Sequence, residues 1–584
     1  MKQLWNIVKF TMLGVVTAMA LTACGGGDSS SSAPAAKTTI SGTAAAGAPI
    51  IGRVFIKDSL GVEKSVPIAA DGTYTIDVVA LGLKAPYMVR ADGYVGGNEY
   101  HLYSAATQAD VGGTINITPL TDLIVANIAK TVASDYYTSG NFSSLTAEQL
   151  TTQSNALAAK LEPILAAVGV SSSIDLLRTS FATDHKGLDA ALDVIRVTTD
   201  TTTNVATISN ILTTETITSN IETQTYSGTL TSATTTAVTT GATDVQMISA
   251  GFKKFSDLFA ASLPSPTNST LLGLFDSATF MMEGQSLDAF LSEITTEKSM
   301  IGISFTNISI KSIDTTNGTA VVGFSVIENG TLSNDAPDTW NMIKKNGNWY
   351  MQGDQRIADV DVEAVAEYQM SNTTNPINTG LRLDVEDRGG KGITSAVVTG
   401  AGLPAGGVTL TNNIESHYFE IQGQFSGNFY GMTDSAINAI ADTGEVYTIK
   451  LYTGTSTTPA ATYTETLRKR PYLNTALTAA SFPQITKPTL TELGSLMGTS
   501  ADIPATVTWT LPSGLINDWL DIEIHDGSGN SVRAEFSLAP ADRSKSFTLS
   551  PVTSTGYRFT ITGGWIWLGA WDGYGRELAT SMGN

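Results

Sequence analysis

The stretch Trp340-Asn341-Met342-Ile343-Lys344-Lys345-Asn346-Gly347-Asn348-Trp349-Tyr350 decides how the middle of this 584-residue chain folds. Two runs rich in apolar and aromatic residues flank an Asn-Gly pair. Both central residues of the tightest hairpin turn need positive φ, and Asn-Gly is the pair that adopts it most readily. The spacing predicts strands at 340–345 and 349–352. Upstream, 300–312 and 319–328 also read as strands. Before them the period becomes helical: Phe252, Phe255, Leu258 and Phe259 share one helix face. A second helix is predicted over 271–282, and Phe290, Leu291 and Ile294 suggest a short third. Residues 245–366 are therefore read as one α+β unit.

Helices followed by a meander of long strands resemble the NTF2-like cone, and 340–350 looks like its terminal hairpin. The Gly353-Asp354-Gln355-Arg356 that follows is similar to the Gly-Asn-Gln-Arg ending of lipoprotein versions of that module, with Asp354 in place of Asn. The fold hosts enzymes and non-enzymes alike. Its enzymatic versions need an Asp–His or Asp–Tyr pair in the cavity for proton transfer, and 245–366 contains no histidine. Asp354 and Arg356 are the module's candidate pair. The preferred reading is a salt bridge bracing the hairpin; the alternative is a ligand-contacting pair.

Toward the N-terminus, residues 198–243 hold 20 threonines in 46 positions, interrupted by Val205, Ile208, Ile211, Ile217 and Ile221. β-Branched content this high favours strands, so 198–244 is read as a hairpin packed on what precedes it, followed by a linker. A glycosylated stalk is the weaker alternative, because such stalks are rich in proline and this segment has none. Residues 118–197 read as a helical bundle. Thr118 precedes Pro119 as an N-cap, Thr146 and Gln149 form a capping box, and Pro163 marks a kink. A third helix runs over about 188–197. Phe181-Ala182-Thr183-Asp184-His185-Lys186-Gly187-Leu188-Asp189 resembles a recurrent stretch of large bacterial surface lipoproteins, with no activity attached to it.

Residues 39–117 alternate as strands around turns at 58–61 and Asp71-Gly72. Ser41-Gly42, Gly47-Ala48-Pro49-Ile50 and Asp71-Gly72-Thr73-Tyr74 resemble the carboxypeptidase-regulatory-like β-sandwich, which implies a spacer or carbohydrate-facing module without catalytic residues. Residues 24–38 are a flexible Gly/Ser/Ala tether, which reaches about 40 Å when stretched. Residues 1–23 have the charge and apolar pattern of a secretory leader, and the apolar run 10–21 is too short to cross a membrane core of about 30 Å. It ends in Leu21-Thr22-Ala23-Cys24, which resembles the bacterial lipobox. That resemblance implies cleavage before Cys24, the chain's one cysteine, and its acylation. Two or three acyl chains anchor firmly, at about 0.8 kcal/mol per buried methylene. Gly25, where inner-membrane lipoproteins usually carry Asp, implies sorting to the outer membrane.

Toward the C-terminus, 371–470 reads as an Ig-like sandwich, 471–499 as a linker broken by Pro471, Pro483 and Pro488, and 500–584 as a fibronectin- or Ig-like sandwich. In the last, Leu520, Ile522 and Ile524 face in while Asp521, Glu523 and His525 face out, and Tyr557, Phe559 and Ile561 form another inner face. The fold class is thus multidomain and mainly β, with a small helical bundle and one α+β cone.

Trp565, Trp567 and Trp571 are the best carbohydrate-binding candidates: exposed, they form a stacking platform; buried, they are core. Burial is the commoner fate of aromatics and is the preferred reading. The acids at Asp384-Val385-Glu386-Asp387, Asp359 with Asp361, and Asp521 with Glu523 lack calcium-loop spacing and read as solvated faces. As glycosidase pairs, Asp384/Glu386 and Asp521/Glu523 fail because they sit two apart on one strand. One cysteine excludes disulfides and thiolate clusters, and His101, His185, His417 and His525 lie in four separate segments, so no metal centre or cofactor is expected. A net charge of −21 argues against nucleic-acid binding.

Together these readings describe a non-enzymatic, lipid-anchored envelope protein with a binding, spacer or adhesion role. Its partners are the membrane through acyl chains on Cys24, and glycans or other envelope proteins. The alternatives are a ligand carrier or enzyme using the cone cavity, and a scaffold subunit of an outer-membrane complex. Mass spectrometry of the native protein is expected to find Cys24 acylated at the mature N-terminus. An unmodified thiol there, or an uncleaved leader, overturns the anchor.

Overall fold

A computed structural model describes residues 38–96, 98–328, 331–332, 338–412, 419–422 and 427–583. The leader, Cys24, the tether up to residue 37, and His417 lie outside the described residues. The chain is mainly β, with several separate sheets and a helical section. No helix among the described residues is long and apolar enough to cross a membrane.

The first sandwich sets the paired strands Thr39–Thr43 and Thr73–Asp77 against a four-stranded antiparallel sheet. Ile40, Val54, Ile56, Tyr74, Val89 and Ile117 fill the space between them. The helical section then opens at Pro119–Ala129, where Thr118 accepts the Thr121 amide. Ala147–Lys160 opens on the Thr146/Gln149 capping box. Pro163 breaks the helix rather than kinking it: a new one, Glu162–Ala167, begins there, since proline suits a first turn better than an interior.

The threonine-rich stretch departs from expectation in two ways. Its first part is a four-stranded meander, not a hairpin: Ile195–Asp200, Val205–Asn210, Thr216–Asn220 and Thr225–Ser227. Ala206, Ile208 and Ile217 alternate inward to join the bundle core. Its second part is no linker but the start of a 28-residue helix, Ser232–Phe259. Thr236, Thr239, Thr240 and Thr243 donate their hydroxyls to carbonyls four residues back, so the threonines are satisfied within the helix. An apolar stripe through Val238, Val245, Ile248, Phe252, Phe255 and Phe259 then outweighs their weak helix propensity.

That helix packs on the sheet Ser304–Asp314, Thr319–Glu328, Asp338–Lys345 and Asn348–Gly353. The hairpin turn has Asn346 at φ 51° and Gly347 at φ 81°, as its type demands. Of the second predicted helix only Ser269–Leu272 forms. Beyond it the chain runs alongside the hairpin, with Asp276 and Met281 donating their amides to Met351 and Gln352. Leu287–Ile294 is the third helix. The cone's interior is solid: Trp340, with no exposed surface, has six phenylalanine rings at 5.5–6.4 Å.

The largest departure lies at the C-terminal end. Instead of two sandwiches joined by a linker, one seven-stranded sheet runs through both. Asp359–Gln369, cut by the boundary expected at residue 366, pairs antiparallel with Ile377–Glu386 and parallel with the closing strand Glu577–Gly583. Glu577–Gly583 in turn pairs with Gly563–Trp571, and that strand with Ile516–His525. A five-stranded sheet covers one half and a three-stranded sheet the other. The expected linker 471–499 supplies a strand, Gln484–Lys487, and a short helix, Leu490–Gly494. Within it Phe482 is fully buried against Ala366 and Leu578 at the seam. Phe559 and Ile561 are core, whereas Tyr557 is exposed.

Over the seam, Arg382 reaches across Asp359–Gln369 to Glu577. Both terminal guanidinium nitrogens meet the carboxylate at 2.7 Å, and Glu363 lies at 3.3 Å. Glu577 is only 1% exposed, so removing its charge leaves Arg382 poorly compensated. Glu577→Gln is expected to cost about 3 kcal/mol of stability, with part recovered in an Arg382→Met/Glu577→Met double variant. Calorimetry of the C-terminal transition checks this; an unchanged transition in Glu577→Gln contradicts it.

Candidate functional site

Gly563–Trp571 alternates strictly. Ile566, Leu568 and Ala570 are buried in the sandwich core. Trp565, Trp567 and Trp571 point to the opposite face and are half-buried. The preferred core reading of these tryptophans is therefore corrected: they lie on the outer surface of the long sheet. Trp565 and Trp567 stack with ring centroids 5.8 Å apart and planes 17° from parallel.

Two glycines form the floor beneath the indoles. A Cβ at Gly583 would stand 2.1 Å from the Trp565 ring, and one at Gly569 would stand 2.2 Å from Trp519. Trp519, half-buried on the adjacent strand, thus covers Gly569 on the same face. Sequence reasoning missed it. The signal was available: Trp519 is one residue outside the inward set Leu520, Ile522, Ile524 and shares parity with Asp521 and Glu523.

The platform has a charged border. Asp521 lies opposite Trp567, and Glu523 opposite Trp565. Arg533 reaches over from the next strand, donating to Asp521 at 2.6 Å and pairing with Glu535 at 2.9 Å, while remaining 57% exposed. Burial raises the Asp521 carboxyl above the ordinary range, and Arg533 opposes the rise. Trp571 is held apart from the stack. Its ring N–H donates to Asp518, and it lines a separate cleft with Asp361, Glu363, Lys469 and Tyr574. Flat indole faces edged by carboxylates and a guanidinium suit a ligand with an apolar face and a hydroxylated rim.

The other sequence candidates fall elsewhere. Asp354 and Arg356 neither brace the hairpin as a pair nor meet in a cavity. Asp354 accepts the amides of Glu283 at 3.0 Å and Arg356 at 2.9 Å. Arg356 instead binds Glu465 and lies over the Tyr463 ring at 5.3 Å. Arg356 thereby joins the cone to the C-terminal half, while Asp354 ties the end of the hairpin to the turn at Glu283. Nor are the acidic clusters simply solvated faces. Arg388, 6% exposed, binds Glu283, Asp359 and Glu386 at 2.6–2.8 Å. Asp384 accepts from Asn428, and Asp521 is 3% exposed.

No family model and no curated protein matches the chain. Two solved structures align along most of it. One is a Ca2+-stabilized adhesin that helps an Antarctic bacterium reach out and bind ice, at 8% identity and a TM-score of 0.14, covering 94% of this chain and 98% of that one. The other is a tetra-tandem repeat in the extending region of a large adhesion protein, at 12% identity and a TM-score of 0.13, with the same coverage of 94% and 98%. At these scores no superposition is shared, and the functional reading rests on the chain's own residues.

The contact of Asp354 with the Glu283 turn is testable. Burial pushes its carboxyl up to about 6 from 3.8, against the pull of its two amide donors. The folded state therefore takes up a proton that the unfolded state does not. Stability from this group falls as pH rises through 6 and returns toward pH 4. Asn accepts the same two amides without charge. Asp354→Asn is expected to melt above the native protein at pH 7.5, by about 1–2 kcal/mol of stability, and to converge with it only toward pH 4. A variant that melts lower at pH 7.5 contradicts the assignment.

Proposed function

We propose that this chain is a non-catalytic, lipid-anchored protein of the bacterial cell envelope that binds saccharide chains on the face of Trp519, Trp565 and Trp567. The observation that carries the reading is the pair of parallel indoles lying outward, with Gly583 and Gly569 beneath the Trp565 and Trp519 rings. Sugar rings offer C–H faces to aromatic planes, and their hydroxyls find Glu523, Arg533 and Glu535 along the edge. The packing of Trp340 and its six phenylalanines favours this face over the cone interior as the place of binding. The leader and Cys24 supply the anchor, and the outer membrane is the site that Gly25 suits.

The test uses full-length protein extracted from membranes in detergent, applied to a glycan array and then titrated with the best saccharide. Trp565→Ala and Trp567→Ala are each expected to weaken binding at least tenfold, and Trp519→Ala similarly, while melting temperatures stay close to native. Binding that survives all three substitutions, or retention of no saccharide at all, overturns the proposal. A stoichiometric envelope protein that co-purifies without saccharide binding would favour a scaffold subunit instead.

A further inference from the structure

A second cluster lies far from the tryptophans in sequence, within the recurrent stretch that begins at Phe181. Asp189 and Asp193 sit one turn apart on the helix Gly187–Val194, and His185 precedes it. One ring nitrogen of His185 and one carboxylate oxygen from each aspartate lie within 4.8 Å of one another. The helical spacing i, i+4 puts the two acids on one face, and the turn before the helix brings the His185 ring to them. The backbone is bent to achieve this: His185 has φ 58° and Gly187 φ 53°. Gln246, on the long helix, holds the turn by donating its amide to the His185 carbonyl at 2.9 Å.

Both acids are buried, Asp189 at 0% and Asp193 at 3% exposure. Among the described residues neither pairs with a lysine or arginine. Arg196, the nearest guanidinium in sequence, donates to the carbonyls of Leu192, Asp193, Ile195 and Ile310. Lys186 turns outward to Asp184 at 3.5 Å. Asp189 takes the His185 amide on Oδ2 at 2.7 Å, while its Oδ1 is buried and accepts no hydrogen bond. Asp193 has His185 as its partner, but the orphaned Asp189 oxygen is costly unless a proton or a cation completes it.

The imidazole is set for that cation. Nδ1 lies 3.0 Å from Asp193 Oδ2, and Nε2 lies 3.0 Å from Ser249 Oγ on the long helix. A hydroxyl that accepts from Nε2–H leaves the Nδ1 lone pair facing the carboxylates, the usual way an outer partner orients a metal-binding histidine. The same atoms also spell a Ser–His–Asp relay. Hydrolysis by it is disfavoured, because Ser249 lies inside Ser232–Phe259, where the neighbouring amides are spent in helix hydrogen bonds rather than free to hold an oxyanion.

We propose that His185, Asp189 and Asp193 form a divalent-metal site of one imidazole and two carboxylates, suited to a borderline first-row cation such as Zn2+. Water completes the coordination shell. The ion ties the turn at His185 to the helix that follows it, and Ser249 and Gln246 hold that turn to the long helix, which itself packs into both the bundle core and the cone core. The role is structural and does not depend on saccharide binding.

Full-length protein in detergent, stripped with EDTA and dialysed, is titrated with ZnCl2 against a chromophoric chelator. One tight equivalent per chain is expected, with a rise in melting temperature. Asp189→Asn and His185→Gln are expected to lose at least tenfold in affinity, and Ser249→Ala to lose less than either. X-ray absorption of the zinc-loaded native protein provides a reading that needs no variant, with a first shell of nitrogen and oxygen at about 2.0–2.2 Å and an imidazole signature. Absence of a stoichiometric site, a first shell without imidazole, or unchanged affinity in both ligand variants overturns the proposal.

Discussion

The C-terminal half depends on one pairing: the parallel contact of Glu577–Gly583 with Asp359–Gln369. Every residue of that closing strand is buried. Without it the long sheet divides into two, each with an exposed edge of unpaired amides and carbonyls. With it, Glu577 arrives beneath Arg382 and Gly583 beneath Trp565. One backbone register thus places both the ion pair across the seam and the floor of the tryptophan platform. The arrangement inverts the expected one, in which two sandwiches joined by a linker would each stand alone.

The N-terminal half is joined by a different device with the same consequence. Ser232–Phe259 contributes Val238 to the bundle core and Val245 through Phe259 to the cone core. At the crossing, Asp244 is 1% exposed and accepts from Lys344 at 2.6 Å and from the Trp349 ring N–H at 2.9 Å. Between the halves, Arg388 gathers three carboxylates and Arg356 reaches Glu465. Buried ionic contacts of this kind add little net stability over apolar packing, but they penalise misplacement, because a slipped partner strands a charge. The junctions therefore fix how the units sit more than how firmly they fold.

What the sequence revealed follows the range of the interactions. The Asn346-Gly347 turn, the caps at Thr118 and Thr146, and the inward set Leu520, Ile522 and Ile524 are local, and their residues carry the signal. The pairing of Val365 with Glu577 joins positions more than two hundred residues apart, and nothing near either one announces it. Threonine misled where its β preference competed with a stripe at helical spacing, and tertiary burial decided. Trp565-Ile566-Trp567-Leu568 is apolar on both parities, so alternation alone cannot say which side faces the core. The cluster at His185 was hidden for another reason. Four histidines looked scattered, yet a metal-type ligand set needs only one of them when the acids come from the adjoining helix.

The tryptophan face is best understood by asking what the sheet gives up to make it. Glycine is a poor strand residue, having no side chain to pack and the most conformational freedom to lose. Two of them, Gly569 and Gly583, stand on the outer face where larger residues would pair better across strands. Any side chain at either position would lift an indole off the sheet. Three half-buried tryptophans also keep some apolar area in water that a polar surface would not. Both concessions weaken the isolated sandwich, and neither is needed by the core, which Ile566, Leu568 and Ala570 already fill. A flat aromatic surface is the one feature that gains from both, and a flat-faced ligand recovers the area left open.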